Sequence, residues 1–197
     1  MLETTRLTNG ALVVSRSMPG FRGITLGLWL RNGVRFEPPG CNGWAALLGR
    51  LLFAGAGQLD AQDLALRLDT LGARVQVHTG RELTLLWGQA PQGALPDLLE
   101  TLTDMLLTPR FDDQALARER TNLAQERDSA PPANRLEDAT AALIWGNHPL
   151  GRPLTGIPKD LEGLKAPELQ AYRHSLMQGR RLVVVAAGAV DHDRLLT

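Results

Sequence analysis

The sequence is poor in the residues that would announce a chemistry. One cysteine in 197 residues, Cys41, leaves no internal disulfide and no cysteine-based zinc cluster, and it has no matched histidine for nucleophilic catalysis. Charge of one sign is missing too. Twenty-one Lys and Arg balance 21 Asp and Glu, so no basic footprint exists for nucleic acid. No window approaches 18 uninterrupted apolar residues, which excludes a membrane-spanning helix from expectation, and the start Met-Leu-Glu-Thr-Thr-Arg is not the basic-then-apolar pattern of a secretion signal. A cytoplasmic protein is expected, or a periplasmic one if a leader was removed. Gly55-Ala56-Gly57 lacks the Lys and Ser/Thr of a phosphate loop and follows a helical pattern, so nucleotide binding has no support.

What is present is an ordinary globular composition, 44% hydrophobic and 21% charged, enough to bury a core. Asn9-Gly10 lies between two short apolar runs and predicts a two-residue hairpin turn. Residues 24–30 alternate as a third strand, with Ile24, Leu26, Leu28 and Leu30 on one face. Trp44, Leu47, Leu48, Leu51 and Leu52 recur at helical spacing after Pro38-Pro39-Gly40. Asp60 caps a second helix that Gly72 stops, and residues 74–78 and 83–87 read as an antiparallel strand pair. Helices follow over 95–107, over 112–128 until Pro131-Pro132, over 136–145 and over 167–177, before a buried strand at 182–188. Strands in hairpins and helices in pairs predict an α+β fold with an antiparallel-rich mixed sheet and helices packed on one face. Trp29, Trp44, Trp87 and Trp145 fall in these elements and are expected as core anchors.

The punctuation of these segments carries a resemblance. Leu7-Thr8-Asn9-Gly10 precedes the opening strand. Asn32-Gly33-Val34-Arg35-Phe36-Glu37-Pro38 and Gly43-Trp44-Ala45 lead to Leu52-Phe53-Ala54-Gly55. Then come Leu71-Gly72-Ala73, Thr79-Gly80-Arg81-Glu82, Arg118-Glu119-Arg120 with Glu126, His148-Pro149-Leu150-Gly151 with Thr155-Gly156, and the closing Val183-Val184-Val185-Ala186-Ala187-Gly188. In this order, over nearly the whole chain, they resemble the N-terminal domain of the pitrilysin/insulinase metallopeptidases, the inverted zincins, a family that includes the mitochondrial processing peptidases. The resemblance implies a single peptidase-like domain over residues 1–197, followed in the full-length protein by a second, similar one.

The family's zinc is held by H-x-x-E-H, two imidazoles on one helical face with a Glu as general base, and a downstream Glu. By the resemblance that motif falls on Ala46-Leu47-Leu48-Gly49-Arg50, where neither imidazole nor base remains. Glu126 matches the downstream ligand and Glu119, seven residues earlier on nearly the same helical face, its supporting carboxylate. Arg50 is expected to sit where the metal would and to pair with Glu126, a buried acid in need of a partner. His78, His148, His174 and His192 are scattered without ligand spacing. No metal and no cofactor is therefore expected here, although zinc serves the active members. The strand Gln76-Val77-His78-Thr79 matches the edge to which the family adds an extended peptide through backbone hydrogen bonds, which need no zinc.

The resemblance thus implies a non-catalytic, substrate-handling or structural subunit paired with a homologous zinc-bearing relative. An active zinc endopeptidase with unusual or partner-supplied ligands, and a purely structural role as in respiratory-complex core subunits, are the alternatives.

Overall fold

A computed structural model describes residues 1–196. The chain opens with strands β1 (Leu2–Arg6), β2 (Leu12–Ser17) and β3 (Gly23–Leu30), then helix α1 (Trp44–Leu51), a two-residue hairpin of β4 (Gly55–Ala56) and β5 (Leu59–Asp60), and helix α2 (Ala61–Thr70). Strands β6 (Arg74–Thr79) and β7 (Thr84–Pro91) follow, then helices α3 (Leu95–Leu107), α4 (Asp113–Asp128), α5 (Pro132–Trp145), α6 (Pro158–Leu161) and α7 (Ala166–Leu176), and the last strand β8 (Leu182–Gly188). Six strands form one sheet in the order β1-β2-β8-β3-β7-β6. Only the β2–β8 pair is parallel, so the expected antiparallel-rich mixed sheet is what the chain builds.

Alternation along the strands decides which face is covered. Val13, Ile24, Leu26, Leu28, Leu30, Leu86 and Ala186 point into one apolar cluster with Leu47 and Leu51 of α1, Leu98, Leu102 and Met105 of α3, and Leu169 and Leu176 of α7. Burying a Leu of this kind contributes about 1.5–3 kcal/mol. The opposite face is different. Register places Leu12, Val183, Trp29 and Leu85 in one row across four strands, and Val14, Val185, Gly27 and Trp87 in the next. None of these side chains belongs to the core cluster or packs against it.

Several local expectations are corrected. The β1–β2 turn is a three-residue loop, Thr8-Asn9-Gly10, because Leu7 and Ala11 still pair, Asn9 accepts a hydrogen bond from the Ala11 N–H, and Gly10 takes φ +90. The helix expected from residue 136 starts at Pro132, since a proline at the first helical position initiates a helix as readily as it ends one. The β4–β5 hairpin and α6 are too short to leave a periodicity. Of the tryptophans, only Trp44 packs against the core, meeting Tyr172 edge-on at 5.7 Å and donating from Nε1 to the Asp160 carbonyl. Trp145 is 47% exposed, and Trp29 and Trp87 lie on the uncovered sheet face.

Candidate functional site

Helix α1 begins on an unusual support. Its N-cap, Gly43, has φ +102 and no side chain to cap with, and an added Cβ would meet Gly156 Cα at 2.8 Å. The capping is done instead by Glu37, six residues upstream and 4% exposed. Its carboxylate accepts from the Gly43 N–H at 3.1 Å, the Ala45 N–H at 2.9 Å and Asn42 Nδ2 at 2.9 Å. A carboxylate is well placed at the positive end of a helix. Burial nonetheless pushes the Glu37 carboxyl above its ordinary value, against the pull of Asn42, the two N–H groups and Arg152.

One side of α1 is buried through Ala45, Leu47, Leu48 and Leu51. The other side, carrying Ala46, Gly49 and Arg50, lines a cleft of about 1150 Å³ between β6, α4 and α5. Helix α4 anchors itself through the buried Leu116 and Leu123, and the residues at intermediate helical spacing, Glu119 and Glu126, face the same cleft. Strand β6 contributes Val77, His78 and Thr79. The groups of residues expected from the sequence are therefore brought to one place, except Gln76, which does not line the cleft, and the His78 side chain, which turns to the other face of β6.

The Arg50 guanidinium turns towards α4. Nη2 donates to Glu126 Oε2, and Nη1 lies 3.9 Å from Glu119 Oε2. The side chains of Arg50 and Glu119 are 31% and 17% exposed. Glu126 is 50% exposed, which corrects the expectation of a buried acid: α4 presents it at the cleft mouth. Solvent screening keeps such a pair to about 0.5–1 kcal/mol.

These residues do not fit a zinc ion. The donors at this place are two carboxylates, both within reach of a cation that never deprotonates. Ala46 has no donor atom, and among the described residues no group of three or more His, Cys, Asp or Glu could hold a metal. The four histidines stay apart. His78 is on β6, His148 accepts from the Leu150 N–H, His174 is on α7, and His192 bridges the Thr5 and Ser15 hydroxyls at 2.8 Å each.

Two features of the cleft were not readable from the sequence. Gly49 lies so near β6 that an added Cβ would stand 2.7 Å from Thr79 Oγ1 and 3.1 Å from Val77 Cγ1. Arg81 ties the β6–β7 turn to the far wall, donating to Asp138 at 2.7 Å and to the carbonyls of Leu150 and Arg152. Gln76 and His78 point to the other face of β6, and that strand is an outer edge of the sheet.

A family model described as Insulinase (Peptidase family M16) matches residues 12–157. The mitochondrial-processing peptidase subunit beta of Neurospora crassa is 30% identical over 198 residues, which is 98% of this chain and 41% of that protein. A zinc protease of Streptomyces coelicolor is 28% identical over 197 residues, 99% of this chain and 43% of that one. Among solved structures, a peptidase M16 inactive domain from Pseudomonas fluorescens superposes with a TM-score of 0.90 at 17% identity, over 99% of this chain and 48% of its own. The first half of a periplasmic protease from Escherichia coli gives 0.87 at 17%, over 99% and 44%. The chain spans about two fifths of the length of these curated relatives.

Proposed function

From the premise that this chain belongs to the insulinase family of peptidases (family M16), we propose that it is a non-catalytic member, a substrate-handling or structural unit that works beside a homologous zinc-bearing peptidase subunit. The observation that carries this reading is Arg50, whose guanidinium occupies the space between Glu119 and Glu126. A cation supplied by the chain itself holds the two acids together, and the general base and both imidazoles of the family pattern are absent beside it. Hydrolysis needs a metal-activated water and a base to take its proton, and no described side chain in the cleft is placed to supply the pair.

Peptide capture is part of the same proposal. An edge strand offers backbone donors and acceptors whatever its side chains are, so β6 can add an extended peptide without metal. A second, similar domain in the full-length protein belongs to it as well, supported by relatives more than twice as long.

Co-expression with a relative carrying an intact H-x-x-E-H provides the test. The two proteins are expected to co-purify, and deleting this chain should lower the relative's peptidase activity at least tenfold. Undiminished activity without this chain would refute the role. Chelator-sensitive activity of this chain alone would favour the other reading, a zinc endopeptidase with unusual or partner-supplied ligands.

A further inference from the structure

Helix α5 is inside out. Asn134, Arg135, Glu137 and Asp138 line the cleft, so its polar side faces inwards, while Leu136, Ala139, Thr140 and Leu143 stand at helical spacing on the side away from it. Of its 14 residues only Ala141 is buried. The four outward residues are exposed, Leu136 at 68% and Leu143 at 87%, with Ile144 at 67% on the flank of the stripe. Covering each leucine would contribute about 1.5–3 kcal/mol, which the chain by itself forgoes.

We infer that this stripe is the contact through which two copies of the chain associate, α5 against α5 in antiparallel orientation. Its pattern is palindromic. From residue 136 to 143 the stripe reads leucine, two inward residues, Ala139, Thr140, two further residues and leucine, so it has the same shape in either direction. A two-fold axis between Ala139 and Thr140 sets Leu136 of one copy level with Leu143 of the other, twice, about 10 Å apart along the helix. Small side chains meet at the crossing, which lets the two axes approach to about 8 Å.

Charge selects the orientation and the occupant. A parallel pair would set Arg135 beside Arg135 and Glu137 beside Glu137, whereas the antiparallel pair holds the two Arg135 levels about 13 Å apart, beyond a Debye length at physiological salt. No charge lies on the stripe itself. A lipid surface is a poorer match, because helices that lie on membranes flank the apolar side with basic residues and α5 carries Arg135 beside Glu137 and Asp138. An unrelated partner has no use for a palindrome. Two helices in contact over about three turns bury about 800–1,000 Å² in all, the low end for specific association, so the dimer is a weak one. The stripe is on the back of the cleft wall, and both clefts stay open.

This inference goes beyond the proposed function and depends neither on zinc nor on a zinc-bearing relative. Sedimentation velocity of the full-length protein over about 1–200 µM is expected to show a reversible dimer with a Kd of about 10–100 µM. Leu136→Glu with Leu143→Glu should weaken it at least about thirtyfold, and the milder Leu136→Ala with Leu143→Ala about tenfold. Both positions are exposed, so the fold survives these changes, and Arg50→Ala in the cleft should leave the Kd as it was. Register is read separately, with Cys41→Ser as the background. An equal mixture of Leu136→Cys and Leu143→Cys chains should form a mixed disulfide dimer at least about tenfold faster than either chain alone. A monomer at about 200 µM, a dimer that tolerates both leucine changes, or a mixture that cross-links no faster than its components would overturn the inference. So would a Leu143→Cys thiol that thiol reagents cannot reach in the monomer, which would place a cover within the same polypeptide.

Discussion

Restoring the two imidazoles alone, Ala46→His with Arg50→His, is expected to create a zinc site with a Kd at or below about 1 µM, about 8 kcal/mol of binding where the native cleft has no fitting donor set. Positions 46 and 50 lie one turn apart on the cleft side of α1, and Glu126 faces the same cleft from α4, within reach of the side chain at position 50. Two His and one carboxylate are a sufficient zinc set. The third change of the family motif, Gly49→Glu, is expected to act against the other two. Its Cβ would begin 2.7 Å from Thr79 Oγ1 and 3.1 Å from Val77 Cγ1, so β6 or α1 has to move, at about 1–3 kcal/mol of overpacking. The doubly substituted protein should thus bind zinc without hydrolysing peptides, and the triple one should unfold at lower urea. Adding Thr79→Ala removes the nearer clash and should recover part of that stability. Zinc titration by calorimetry and urea unfolding decide this. A triple variant as stable as the double would show that α1 and β6 are not locked together.

The second large effect is at Glu37. Glu37→Ala is expected to destabilise the fold by about 3 kcal/mol, because it strands the buried N–H groups of Gly43 and Ala45 at once and leaves the Asn42 amide only its 3.3 Å bond to the Pro153 carbonyl. Helix α1 has no other cap, and it is the element that carries Ala46, Gly49 and Arg50 into the cleft. Glu37→Gln keeps the shape and one acceptor, and should lose only about 1 kcal/mol at neutral pH. The pH dependence has a definite sign. Because burial raises the folded pKa above the ordinary 4.5, the contribution of Glu37 is fully present below that value and declines as the pH rises through the folded pKa. The stability gap between the native protein and Glu37→Gln should therefore narrow from acid pH towards neutral. Unfolding curves across that window would refute this by showing the gap widening instead.

The sheet was legible because its strands alternate cleanly. Ile24, Leu26, Leu28 and Leu30 announce their common face, and the apolar run Leu182 to Gly188 announces a strand, although only Ala186 and Gly188 of it are buried, because Val183 and Val185 lie on the uncovered face. Helix α4 was legible as a polar helix, and the seven-residue spacing of Glu119 and Glu126 already placed both acids on one side. The shortest elements escaped, since two-residue strands and a four-residue helix carry no period to read. Glu37 escaped for another reason: a carboxylate that caps a helix across a Pro-Pro-Gly break is visible only once the chain has folded back. The approach of Gly49 to Thr79 is a distance between elements, and no spacing within either one encodes it. Trp29 and Trp87 read as core residues because an apolar strand residue reports burial, not which layer supplies it.

The central claim is that Arg50 takes the metal's place and the chain carries no catalytic zinc. Metal analysis of the full-length protein, purified without chelator from zinc-supplemented medium, tests it most directly. Less than about 0.1 zinc per chain is the expected result, rising towards one per chain only in the Ala46→His, Arg50→His variant. About one zinc per native chain, with peptidase activity that a chelator abolishes and zinc restores, would contradict the account.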